Sequence, residues 1–305
     1  MLPYGLRPPA FRLPAATHLG RVRLQVTDLV RSLAFYTEIL GFRVISQRSG
    51  DAELGAHGDD RVILELYSGA TKPVPRGGHQ GLFHFAILLP DRASLGRFFV
   101  HLSDTGVHAG ASDHLVSEAI YLHDPDGLGI EVYADRARES WKHVDRELTM
   151  ATVAMDVRAV AEAGGGAPWV GMPAGTVLGH VHLHVASLEE ARAFYHDVLG
   201  LDLMVWSYPG ALFFSAGGYH HHLGTNTWAA GQPSAAADEA RLIDWEIVLP
   251  DAASVGAARA SLVGSGYLPV DAPGGWTAAD PWGTKVLVTV GGWRLAVGSV
   301  RLAVR

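Results

Sequence analysis

An internal duplication constrains this chain more than any other feature. Leu19-Gly20 recurs as Leu178-Gly179, Phe35-Tyr36 as Phe194-Tyr195, and Ile39-Leu40-Gly41-Phe42 as Val198-Leu199-Gly200-Leu201, each pair 159 residues apart. The order is kept further on, in LLPDRAS at 88–94 against VLPDAAS at 248–254 and in Asp124-Pro125 against Asp280-Pro281, with the small changes of offset that loop differences make. A period of this length repeats a domain, not a solenoid turn. The expectation is therefore two related units, 1–150 and 151–305, with 135–177, which contains AEAGGGAP, as the connection between copies.

Each copy divides again. RVRLQV at 21–26 alternates like a half-buried strand, Thr27 or Asp28 can cap a helix, and LVRSLAFYTEIL carries apolar residues at helical spacing until Gly41. Short strand-like runs follow at 42–47 and 61–67, and then a second unit opens with LFHFAILLP and a helix near 92–105. The unit reads βαβββ. Four such modules fit, at about 18–68, 81–134, 178–228 and 240–298, which makes the fold class α+β.

Composition removes several functions. The net charge is −7, with 24 Lys+Arg against 31 Asp+Glu and no block of about five or more like charges, so a nucleic-acid or anionic-lipid partner is not expected. No run of about 18 apolar residues is present to span a membrane, and the opening MLPYGLRPPAFRLP is broken by Pro and Gly where a signal peptide would be continuous, so the cytoplasm is the expected location. The chain has no Cys, which rules out disulfides, thiolate sites and a Cys nucleophile. Any metal must be held by carboxylates and by some of the 16 His.

Four βαβββ modules with Phe-Tyr and Leu-Gly around the first helix of each copy resemble the vicinal oxygen chelate superfamily, in which paired modules form half-open barrels around a divalent metal. The resemblance covers nearly the whole chain. It implies ligands on the first and last strands of paired modules. The first strands offer Arg21, His84, His180 and Asp244, of which two are His. On the last strands, Glu131 stands seven residues after Asp124, whereas Leu287 stands seven after Asp280. His84, His180 and Glu131 then make a facial triad of two His and one carboxylate, leaving positions open for substrate and dioxygen. Taken singly, each of these His reads as an ordinary satisfied polar residue on a strand. Alternation supports the set: His84, Ala86 and Leu88 share one strand face, as do His180, His182 and His184.

SDHLVSEAIYLHDPDGLGIEVY at 112–133 resembles the extradiol dioxygenase signature through His114, Ile120, Tyr121, Asp124, Pro125, Gly127 and Glu131, departing from it at Ser112 and Leu128. GGYHHHLGTNTW at 217–228, expected on the last strand of module three, resembles the His-His pair of ring-cleaving relatives. Alignment of that pair places an acid/base role on His221, with His220 or His222 the alternatives and a solvent-facing His-rich strand end the bland reading. The resemblance implies a ferrous enzyme, with manganese(II) the alternative, which cleaves a catechol or hydroquinone-type ring beside the diol with dioxygen, to a muconic semialdehyde. His221, His114 and Tyr121 would be catalytic, and a homo-oligomer is compatible. The rival readings are a glyoxalase-type isomerase, which normally adds a second carboxylate or Gln to the ligand set, and a small-molecule sequestering protein of the same fold.

Other features read as structure. Phe35-Tyr36 and Phe194-Tyr195 read as core, Trp141, Trp169 and Trp228 as core or as walls of the cavity, His18, His123 and His143 as incidental, and Asp280-Pro281-Trp282-Gly283 as a retained turn. Pairing module two with three, and one with four, collects all the chemistry in one cavity. It sets Arg21 and Arg23 against Asp244 and Glu246 in the other, where buried charges need partners.

Overall fold

The computed structural model describes residues 4–291; positions 292–298, assigned above to the fourth module, lie outside the described residues. Module one is β1 (His18–Val26), α1 (Leu29–Ala34), β2 (Arg43–Arg48), β3 (Asp51–Gly55) and β4 (Leu64–Ser68). Module two is β5 (Gly81–Leu88), α2 (Arg92–Thr105), β6 (Gly110–Asp113), β7 (Ser117–His123) and β8 (Gly129–Asp135). A connection follows with a small hairpin, β9 (His143–Val144) and β10 (Glu147–Leu148), and the helix α3 (Val157–Ala163). Module three is β11 (Val177–His184), α4 (Leu188–Ala191), β12 (Asp202–Val205), β13 (Ala211–Ser215) and β14 (Leu223–Asn226). Module four is β15 (Arg241–Leu249), α5 (Ala252–Gly264), β16 (Val270–Ala272), β17 (Gly275–Ala279) and β18 (Lys285–Val290). Among the described residues no helix is long and apolar enough to cross a membrane.

The modules pair across the duplication. One eight-stranded sheet runs β12-β13-β14-β11-β5-β8-β7-β6 and joins modules three and two through antiparallel β11 and β5. The other runs β16-β17-β18-β15-β1-β4-β3-β2 and joins modules four and one through β15 and β1. Within every module the first strand is parallel to the last, because the helix carries the chain back over the sheet before the meander begins. The outer faces of the strands bury Phe85, Ile87, Val181, Leu183, Trp245 and Ile247 against the helices in one extended apolar core.

Two of the junction strands, β11 and β1, carry a bulge at the repeated Leu-Gly. The register slips between Leu178 and His180 on β11 and between Leu19 and Val22 on β1. A neighbouring side chain crosses the backbone there: a Cβ on Gly179 would lie 1.8 Å from the Tyr133 hydroxyl, and one on Gly20 would lie 2.2 Å from a Glu246 carboxylate oxygen. Only glycine admits these crossings.

The predicted continuous helix before Gly41 differs in its second half. The chain leaves α-helical geometry at Phe35, and the Leu40 N–H bonds back five residues to the Phe35 carbonyl; Leu199 and Phe194 do the same in the second copy. The widened turn aims the following tyrosine into the core. Tyr36 donates to Asp124 at 3.1 Å and Tyr195 donates to Asp280 at 2.8 Å, so each Phe-Tyr pair locks onto the Asp-Pro turn of the next module as well as filling space. Asp124 in turn accepts from the backbone N–H groups of Asp126 and Leu128, and Asp280 from those of Trp282 and Thr284. The turn thereby fixes where the last strand of the module begins.

Candidate metal centre

β5, β8 and β11 are adjacent in one sheet, and their inward residues meet. His84 Nε2 lies 3.0 Å from Glu131 Oε2, His180 Nε2 lies 3.1 Å from the same oxygen, and the two nitrogens are 3.3 Å apart. All three residues are buried. Ligands about 2.0–2.2 Å from one divalent ion stand roughly 2.8–3.1 Å apart at right angles and up to about 3.6 Å apart at the tetrahedral angle. The observed separations fall in that interval, so these atoms fit a first-row divalent metal; they also form the one cluster of ligand-type atoms this close among the described residues.

The electrostatics agree. Burial alone would push the Glu131 carboxyl up, yet His180 and His84 hold it well below the usual carboxylate range, so it is an anion. Burial lowers both imidazoles, which keeps them neutral with lone pairs available as ligands. Their Nδ1 atoms have no protein partner among the described residues. Packing orients the rings instead: His180 lies 4.1 Å from the His221 ring and 5.0 Å from Tyr133, and His84 lies 4.9 Å from Phe83 and 5.0 Å from His182. His182, two residues beyond His180 on the same strand face, is outside the set because its Nε2 accepts from the Asn226 amide at 3.0 Å.

The ligand atoms open on a cavity of about 260 Å³. A dry cavity of about 150 Å³ accommodates a benzene ring, so one substituted ring fits here. One wall is His114 and Tyr121. His114 Nδ1 donates to the Ala151 carbonyl at 2.9 Å, so its Nε2 is the acceptor and receives the Tyr121 hydroxyl at 2.6 Å. Burial, and then the Glu131 charge, raise the Tyr121 hydroxyl well above its ordinary value, which makes it a proton donor at neutral pH and not a base. Phe213 and Trp228 face this wall from module three.

The three consecutive histidines are placed differently from the sequence expectation. His220, His221 and His222 precede β14 in a turn that follows Gly217 and Gly218, both at positive φ, so strand alternation does not govern them and all three are buried. His221 lines the cavity. His220 lies behind it against Asp135, and His222 lies near Ser215, whose hydroxyl is 3.0 Å from its Nδ1. Burial, and then its neighbours His180 and His220, hold His221 well below the ordinary imidazole range, so it is neutral and able to accept a proton.

Part of the cavity comes from a segment that carried no signal in the sequence. Met150 and Thr152 roof it from the connection between repeats, and Tyr208 closes over them with its hydroxyl 2.8 Å from Thr152 Oγ1. The roof is fastened by paired backbone bonds between Asp113 and Val153 and by Glu147, which accepts from the N–H groups of Trp206 and Ser207. Of the three tryptophans, Trp228 is at the cavity, Trp141 packs 5.4 Å from the His220 ring behind it, and Trp169 packs on Phe98 elsewhere.

Comparison with known proteins agrees with this architecture. The sequence model of the glyoxalase/bleomycin resistance protein/dioxygenase superfamily matches residues 18–132 and 177–273. The catechol-2,3-dioxygenase of Bacillus subtilis (strain 168) is 47% identical over 240 residues, covering 77% of this chain and 83% of that one. Among solved structures, a Bacillus subtilis protein described provisionally as a dioxygenase superposes with a TM-score of 0.66 at 13% identity, over 93% of this chain and 87% of that one. Glyoxalase I from Zea mays superposes with a TM-score of 0.53 at 17% identity, over 90% and 92%. At such identities the two structures attest the fold alone.

Proposed function

Because the chain belongs to the glyoxalase/bleomycin resistance protein/dioxygenase superfamily, we propose that it is an extradiol dioxygenase that opens a catechol or hydroquinone-type ring with dioxygen to a muconic semialdehyde. The observation that carries the reading is the convergence of His84, Glu131 and His180 on one point, with a neutral imidazole on one side of the cavity and the hydrogen-bonded Tyr121–His114 pair on the other. His84, Glu131 and His180 would hold ferrous iron, with manganese(II) the alternative. Bound there, the metal supplies the redox and Lewis-acid chemistry that lets dioxygen react with the electron-rich ring. The identity with the Bacillus subtilis catechol-2,3-dioxygenase supports the same class of substrate.

The residues divide the proton work. His221 accepts a proton from a ring hydroxyl at its Nε2, which lowers the cost of binding the diol as an anion. Tyr121 and His114 act as a coupled pair that orients and polarises the opposite side of the substrate. The roof of Met150, Thr152 and Tyr208 keeps water from the reacting atoms. The register also disfavours the isomerase reading: the position on β14 that corresponds to Glu131 on β8 is Gly224, so module three offers no second carboxylate or Gln there.

Anaerobic loading with ferrous ion, addition of catechol and then admission of air tests the proposal. The expected result is a yellow ring-fission product with one dioxygen consumed per ring. No dioxygen uptake with any catechol or hydroquinone, in protein that holds one equivalent of iron, would overturn it.

A further inference from the structure

Behind His221 lies a chain of hydrogen bonds that the proposed reaction does not require. Asp135 is the last residue of β8, four residues after Glu131 and on the same strand face. Its Oδ1 accepts from His220 Nε2 at 2.9 Å and from the Tyr219 hydroxyl at 3.2 Å. His220 is fully buried, and its Nδ1 lies 2.7 Å from Nδ1 of His221. Two imidazole nitrogens at that distance share one proton, since two protons would collide and none would set lone pair against lone pair.

The carboxylate decides where the proton is. With the Nε2 proton of His220 committed to Asp135, a neutral His220 has a bare Nδ1, so the shared proton belongs to His221 Nδ1. A neutral His221 is then bare at Nε2. That atom has no hydrogen-bond partner among the described residues, and its ring lines the cavity beside His180. The order of the chain thus presents a base to the substrate.

We propose that Asp135 and His220 form with His221 a proton relay that carries positive charge away from the metal centre. The inference rests on the reading of His221 as the group that meets the substrate. In the forward step a ring O–H bond breaks and an N–H bond forms at His221 Nε2. The proton on His221 Nδ1 crosses to His220 Nδ1, and the imidazolium resides on His220, hydrogen-bonded to the ionised Asp135. His221 is neutral again, now protonated at Nε2 and able to return that proton to a product oxygen by the reverse path. No electrons move, and charge is conserved at each transfer. The gain is electrostatic. A cation on His221 would sit buried against a metal ligand, whereas on His220 it has a carboxylate at hydrogen-bond distance. Asp135 and His220 are positioning residues in this scheme, for neither reaches the cavity.

The test compares Asp135→Asn with His221→Ala and adds a measurement on the unaltered chain. The amide of Asp135→Asn still accepts from His220 but cannot neutralise a cation on it. Its kcat should fall by about 10–10²-fold, with the KM for catechol and the bound iron unchanged, against a loss of about 10²–10⁴ in His221→Ala, also with iron retained. In zinc-loaded wild-type protein labelled with ¹⁵N-histidine, His221 should show a protonated Nδ1 and a bare Nε2, and His220→Phe should abolish that preference. A wild-type kcat in Asp135→Asn, or a protonated Nε2 in neutral His221 of the wild type, overturns the relay. If His221→Ala also turns over normally, the reading of His221 fails as well; if it alone is impaired, only the relay fails. The nitrogen shifts decide the matter even if Asp135→Asn does not fold.

Discussion

In the sheet of modules two and three, equivalent inward positions on the first and last strands of the modules hold His84, Glu131, His180 and Gly224; in the sheet of modules one and four the same register holds Arg21, Glu65, Asp244 and Leu287. The first set converges on room for an ion. The second converges on an ion the chain already owns: the Arg21 guanidinium lies 2.9 Å from Asp244 Oδ1 and 3.3 Å from Glu65 Oε2. Glu246 is removed from that contact by the Thr289 hydroxyl, which it accepts at 2.7 Å, and Arg23 pairs with Glu65 at 3.0 Å and lies over Tyr67. One scaffold thus surrounds an arginine with carboxylates in one sheet and, in the other, sets a carboxylate between two imidazoles where a divalent ion would fit. An arginine is permanently charged and tethered, so the second site has neither vacancy nor exchange. Neutral imidazoles in the first leave the cation to be supplied from solution.

The sharpest way to break this contrast is to remove equivalent carboxylates. Glu131→Ala should lose tightly bound metal and all turnover, because losing one of three ligands leaves the other two poorly constrained, and His84→Ala and His180→Ala should do the same. Glu65→Ala should keep a full equivalent of metal and its activity. Metal analysis after dialysis checks both, and full iron occupancy in Glu131→Ala would remove the basis for the comparison.

A smaller effect is expected on the other side. Arg21→Met leaves Glu65 and Asp244 facing each other without their shared cation. Losing one partner of a fully buried pair costs about 3–5 kcal/mol, but Arg21 is 21% exposed, so about 2 kcal/mol is the reasonable figure. That corresponds to a fall of roughly 4–8 °C in the thermal midpoint, with metal content and kcat unchanged. Replacing both Arg21 and Asp244 by His sharpens the point further, since it restores two imidazoles and the Glu65 carboxylate to the geometry of the first sheet. Zinc binding should then rise above one equivalent per chain.

The comparison also shows what the sequence discloses. The duplication carries the module count and the fold class, because Leu-Gly, Phe-Tyr and Asp-Pro each do a local job that any copy must repeat: a bulge crossing, a lock and a turn. His84, Glu131 and His180 were legible from those landmarks, and the structure brings their ligand atoms together. Glu65 was not, since no Asp-Pro turn stands seven residues before it as one does before Glu131 and Leu287. The histidine triplet was visible as a motif but its geometry was not, because the turn after Gly217-Gly218 replaces the expected strand. Met150 and Thr152 were invisible, as a roof formed by a connection has no periodicity to betray it, and Tyr208, in the loop between β12 and β13, carried no signal either. Asp135 was hidden for a different reason: its role depends on a partner 85 residues away, and nothing in the spacing links the two.

The last prediction concerns a feature on which the two halves agree, and its effect appears only as pH changes. Burial pushes the Asp124 carboxyl up to about 6, and burial likewise raises Asp280, each at the turn where it receives a tyrosine hydroxyl and two backbone N–H groups. A carboxyl whose folded pKa lies above its unfolded value of 3.8 binds its proton more tightly in the native state. The stability it contributes is therefore fully present below about pH 4 and is lost as pH rises through about 6. Asp124→Asn removes the ionisation while keeping the shape: its carbonyl oxygen still accepts from the Asp126 and Leu128 N–H groups, and its amide donates to the Tyr36 oxygen. The difference in stability should move in favour of the variant between pH 4 and pH 7, by no more than about 2–3 kcal/mol and by less if the turn relaxes on ionisation. Urea unfolding at several pH values measures it. Asp280→Asn should show the same sign. A difference that stays flat with pH would show that Asp124 ionises normally in the fold, so that the two turns are held by hydrogen bonds to a charged carboxylate and not to a protonated one.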